Sequence, residues 1–96
     1  MATKKQEKEH INKLLRQIEE IEDTIQMGDK IFFNYDGKQV AEYQFVEWSM
    51  DAKSPMDWFN GCMCFEVTIK GLDPTKVEIT FEKNTDPDIF KKMFNL

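Results

Sequence analysis

Apolar residues fall on a helical stripe at the start of this chain: Ile11, Leu14, Leu15, Ile18, Ile21 and Ile25. Spacings of three, four and seven put them on one face of a helix from Thr3 to Met27. Thr3 is the candidate N-cap and Gly28 the candidate stop. Before His10 there is no apolar face, so residues 1–9 are expected to fray. The stripe also fits a heptad, with Ile11, Ile18 and Ile25 at a and Leu14 and Ile21 at d.

From Asp29 the period changes to two. Ile31, Phe33, Ala41, Tyr43 and Phe45 share one face if odd positions pair with odd ones across the Asp36-Gly37 turn. A two-residue Asp-Gly loop would pair odd with even and mix apolar with polar groups on both faces. The pattern therefore predicts a three-residue loop, Tyr35-Asp36-Gly37, with Gly37 left-handed in a G1 bulge. After Phe45 the phase flips to Val46, Trp48 and Met50, which reads as a bend or the end of the main sheet.

Cys62 to Lys70 alternates again, with Met63, Phe65, Val67 and Ile69 on one side, and predicts a third strand. A turn at Gly71–Thr75 leads to a fourth, Lys76 to Glu82, with Val77, Ile79 and Phe81 inward. Thr85-Asp86-Pro87-Asp88 starts a short helix carrying Ile89, Phe90, Met93 and Phe94. The expected fold is α+β in the order α-β-β-β-β-α. An N-terminal helix packs on a four-stranded antiparallel meander, and a short C-terminal helix follows. The 96 residues suit a single domain.

Charge and composition narrow the functional classes. The chain is 41% hydrophobic and 32% charged, with a net charge of −5. It lacks the positive footprint of a nucleic-acid binder, and Arg16 is its single arginine. No apolar run is long enough to cross a membrane. The basic N-terminus has no apolar segment after it, so the address expected is cytoplasmic.

Chemistry is thin. Cys62 and Cys64 are half a zinc site at most; the remaining ligands would be His10 or acids, and no second pair exists. They read as small half-buried hydrophobes, and neither a metal nor a cofactor is expected. No nucleophile elbow, P-loop or dinucleotide fingerprint is present, and the reading is not an enzyme. Carboxylate pairs such as Glu19 with Asp23 and Glu78 with Glu82 are ordinary in an acidic protein.

Two features suggest binding. Lys4, Lys5 and Lys8 crowd one end of the first helix, and Glu19, Glu20, Glu22 and Asp23 the other. An antiparallel pair of such helices would match basic end to acidic end. A homodimer through Ile11, Leu14, Leu15, Ile18 and Ile21 is one expectation; a helix that covers its own sheet is the other. The second feature is Ser54-Pro55-Met56-Asp57-Trp58-Phe59, a capped turn ending at Asn60-Gly61. It presents Met56, Trp58 and Phe59 either as a lid on the core or as a binding surface, with Trp48 in the same cluster. Glu66, Glu78, Glu82 and Glu42 are expected on an acidic outer sheet face.

The functional expectation is a non-catalytic acidic protein-binding module, of the kind a phage uses to inhibit a host protein. It would occlude a basic surface on a cytosolic protein, with Trp58, Phe59, Met56 and Trp48 as anchors and Glu66, Glu78 and Glu82 as the electrostatic face. The alternative is a nucleotide-binding or sequestering oligomer with a site between subunits, for which Lys53 and Lys70 are the nearby cations.

Overall fold

The computed structural model describes residues 3–45, 54–86, 88, 89 and 91. Its first element is α1 (Lys4–Thr24). The N-terminal turn, where the sequence offers no apolar face, is helical and capped. The Thr3 hydroxyl accepts from the Gln6 backbone N–H at 3.2 Å, and the Gln6 side chain accepts from the Thr3 N–H at 2.9 Å. This reciprocal capping satisfies donors that would otherwise have no partner. At the other end the helix stops at the Ile25 cap, ahead of Gly28. No described helix is long and apolar enough to cross a membrane.

Three strands follow from the alternating segments: β1 (Lys30–Tyr35), β2 (Lys38–Gln44) and β3 (Val77–Glu82). The sheet order is β2-β1-β3, with both pairings antiparallel. The odd-with-odd register holds: Ile31 faces Tyr43 and Phe33 faces Ala41. The device that sets it differs from the expected three-residue loop. Asp36 (φ 50°) and Gly37 (φ 81°) are both left-handed, which makes a two-residue type I′ turn. That turn pairs Tyr35 with Lys38, odd with even. A bulge between Phe33 and Asn34 then leaves Val40 as an extra residue, and the phase is corrected before the core pairs begin.

The predicted third strand, Cys62 to Lys70, is helical instead. The helix α2 (Pro55–Met63) starts as the sequence suggests, with the Ser54 hydroxyl accepting from the Asp57 N–H at 3.1 Å. It does not stop at Asn60-Gly61. It runs to Met63 and continues as a π-helix over Cys64–Ile69. Period-two alternation misleads here because residues four apart are also helical neighbours. Met63 and Val67 pack against the core, whereas Phe65 and Ile69 point outward at 50% and 67% exposure. Among the described residues, three strands therefore stand in place of the expected four. β2 and β3, each antiparallel to β1, are joined by this helical crossover and a short 3-10 turn, Pro74–Lys76. The chain is helical again at Ile89 and Lys91. The phase flip at Val46, Trp48 and Met50 lies outside the described residues.

Both helices cover the same sheet face. Leu14 and Ile18 from α1 and Phe59 from α2 close on Ile31, Phe33, Tyr43 and Val77. The Phe33 and Phe59 rings are 6.0 Å apart, and Tyr43 lies 5.5 Å from Trp58. The Met56 N–H donates to the Glu22 carboxylate at 2.7 Å, which seats the N-terminus of α2 on α1 and sets a negative charge at its positive end.

Asp29 ties these parts together. Its side chain is buried, and its two oxygens accept from the Gln26 N–H (2.8 Å), the Asn84 N–H (2.8 Å) and the Lys83 ammonium (3.0 Å). Burial pushes its pKa up, but the N–H groups of Asn84 and Gln26 and the Lys83 charge outweigh it. The carboxyl thus sits below its ordinary value of 3.8. Gly28 beside it has φ +88°, and a Cβ there would meet Ile89 Cγ1 at 2.9 Å. Only glycine fits.

Two outcomes follow from this packing. Because the folded carboxyl titrates low, its contribution is complete above the unfolded value and vanishes as pH falls through the folded one. Asp29→Ala is expected to lose about 2–4 kcal/mol at pH 7, with the gap to wild type narrowing below pH ~4; urea unfolding at both pH values measures it. Phe59→Ala should lose about 3–5 kcal/mol while Phe65→Ala changes stability by less than about 0.5 kcal/mol, and the same titration separates them.

Candidate functional site

The sheet face turned away from α1 and α2 carries the even residues of β1 and β3, because side chains alternate along a strand. Its register sets three rows across β2, β1 and β3. The first is Gln44, Lys30 and Glu82; the second is Glu42, Phe32 and Thr80; the third is Gln39, Asn34 and Glu78. Among the described residues, no helix covers this face.

Phe32 stands at its centre, half-buried. Lys30 pairs with Glu42 at 3.0 Å, and that carboxylate holds the ammonium pKa above its ordinary value. The Asn34 amide donates to the Thr80 hydroxyl at 2.8 Å, which straps β1 to β3 across the open side. Glu78 and Glu82 are exposed on β3. With Lys30 matched to Glu42, the face keeps two carboxylates around one aromatic ring. An apolar centre inside a charged rim is the usual build of a protein contact surface.

The residues predicted to bind divide among different places. Glu78 and Glu82 lie on the open face as expected, and Glu42 lies with them. Glu66 does not: it sits on the π-helix and pairs with Lys70 at 3.2 Å. Phe59 belongs to the core with no exposed surface. Met56 and Trp58 are half-buried against that core, and Trp48 lies outside the described residues. Of the two roles open to the capped aromatic turn, the lid is the one Phe59 fills. Phe32 was overlooked because Ile31-Phe32-Phe33 reads as a continuous apolar run. The signal was present, since a residue between two inward neighbours must point outward.

The first-helix residues are similarly divided. Leu14 and Ile18 are spent on the chain's own sheet, and Leu15 and Ile21 pack partly against it. Ile11 is half-buried. The reading in which the helix covers its own sheet accounts for Leu14 and Ile18, so neither is free to meet a second copy.

Cys62 is half-buried and Cys64 exposed, neither in a disulfide, and both lie on helical backbone and not on one strand face. Two residues apart on a helix they diverge. Among the described residues, no three His, Cys, Asp or Glu side chains cluster to hold a metal ion. His10, the remaining ligand candidate, donates from Nε2 to the Val77 carbonyl at 2.7 Å. Lys70 is engaged with Glu66 and lies 5.0 Å over the Phe65 ring; Lys53 is outside the described residues.

A depression of 260 Å³ beside Asp29 is lined by Gly28, Lys30, Lys83, Asn84 and Ile89 among others, with no aromatic ring among its lining residues. Its cations are already paired, Lys30 with Glu42 and Lys83 with Asp29, and among the described residues it has no stacking platform for a base. Comparison with family models, with curated proteins and with solved structures gives no match to this chain.

Proposed function

We propose that this chain is a non-catalytic, acidic protein-binding module that docks its open sheet face on a basic surface of a partner protein and blocks it. One observation carries the reading: Phe32 lies at the centre of a face with no helix over it among the described residues, flanked by Glu42, Glu78 and Glu82. The ring supplies apolar area to bury, and the carboxylates steer a cationic partner and fix its register. The chain's net charge of −5 acts in the same direction at longer range. The anchor is Phe32 in place of Phe59, because Phe59 is committed to the core.

Affinity capture from an extract of the source cells tests the proposal, with captured proteins identified by mass spectrometry. Wild-type protein is expected to retain a basic partner at low salt and to release it near 0.5 M salt, where the Debye length is about 4 Å. Glu78→Lys/Glu82→Lys and, separately, Phe32→Ala should each lose that partner while keeping the wild-type thermal transition. Capture that survives both variants would sink the proposal.

A further inference from the structure

β3 is an edge strand: among the described residues, nothing pairs with its outer side. The direction of its backbone groups follows from two contacts. The Asp36 N–H donates to the Lys76 carbonyl, which therefore points toward β1. The next carbonyl, Val77, points the other way and is taken by His10. Antiparallel ladders repeat every two residues. Glu78, Thr80 and Glu82 thus bond to β1, and Ile79 and Phe81 turn their N–H and C=O groups outward. An edge of this kind is a template for another strand.

α1 runs alongside β3 in the same direction. His10, Lys13 and Gln17 meet Glu78 and Ile79 around a 220 Å³ depression. Gln17, Glu20, Ile21 and Thr24 meet Ile79 and Phe81 around a second one of 370 Å³. Gln17 and Ile79 line both, so they mark the same level of the groove.

We propose that β3 pairs antiparallel with β3 of a second copy, across a two-fold axis at Ile79, so that two three-stranded sheets become one. Charge favours this register over those one residue away. Pairing centred on Ile79 sets Glu82 opposite the second copy's Lys76 and Glu78 opposite its Thr80. A shift of the axis to Thr80 would set Glu78 opposite Glu82, and a shift to Glu78 would set it opposite itself. Like charges directly opposite are unfavourable. In the favoured register Ile79 N–H and C=O exchange bonds with their counterparts. The Phe81 N–H reaches the second copy's Val77 carbonyl, whose two lone pairs accommodate both it and His10.

The helices complete the match. Since α1 follows β3, the two copies of α1 run antiparallel with Gln17 nearest the axis. Lys13, four residues before Gln17, then faces the second copy's Glu20, three residues after it. This interface uses Ile79, Phe81 and the polar flank of α1, and it leaves Leu14 and Ile18 in the core.

Sedimentation of the full chain over a range of concentrations tests the assembly. The expected result is a species of twice the 11.4 kDa chain mass. Lys13→Glu should weaken it about tenfold, each change counting twice by symmetry, and Lys13→Glu/Glu20→Lys should restore it. Ile79→Pro removes an outward donor without touching the β1 ladder, so it should leave a folded monomer by circular dichroism. A monomer at every concentration overturns the proposal. So does a dimer indifferent to Lys13→Glu, or one that persists in folded Ile79→Pro protein.

Discussion

The buried carboxylate of Asp29 is the point on which the arrangement of this protein turns. It receives the N–H groups of Gln26 and Asn84, and so it joins the end of α1 to the exit of β3 across 55 residues of sequence. Its backbone also closes the open end of the hairpin, since the Phe45 N–H donates to the Asp29 carbonyl at 2.9 Å and the Gly28 N–H to the Phe45 carbonyl at 3.0 Å. Helix end, central strand and both outer strands meet there. A buried charge is costly unless it is matched. Here the match can be made only when all four segments are in place, which makes the carboxylate a check on the whole sheet.

With that corner held, the rest of the packing has little freedom. β1 is fixed as the central strand, with β2 delivered by the hairpin and β3 by the crossover. α1 covers the β3 side and α2 the β2 side, and Glu22 locks the two helices where α2 begins. Among the described residues seven buried side chains make the core, so each carries much of the stability. Phe59 of α2 joins Leu14 and Ile18 of α1 in that core and sets its ring 6.0 Å from Phe33. The same economy leaves one sheet face and both sheet edges without a strand partner among the described residues, and that face and the β3 edge are the surfaces to which binding is assigned above.

Local chemistry was legible wherever it depended on near neighbours. The Thr3 and Ser54 caps, the place of the turn at Asp36-Gly37 and the inward set Ile31, Phe33, Val77, Ile79 and Phe81 all follow from spacing and residue type, whereas the type of that turn does not. So did the outward placement of Glu78 and Glu82. Phe32 could have been read in the same way, but its apolar neighbours hid it. Asp29 had no signal of its own. An aspartate after a glycine looks like turn chemistry, and its burial depends on Asn84 and Lys83, far along the chain.

The segment from Met63 to Ile69 shows where sequence stops deciding. Its apolar residues recur at intervals of two, which serve a strand face and also two opposite helical pairs. A helix already started by Ser54 and Pro55 continues at little cost, because propagation is easier than nucleation. Which partner β3 takes, and therefore which strand lies at the edge, is also a long-range choice. The sequence by itself determined α1, the three strands, the N-terminal caps of both helices and the inward face of each strand, because those rest on contacts within about four residues. Tertiary structure alone decided the strand order, the helical crossover and the burial of Phe59, because those depend on which distant surfaces compete for the same core.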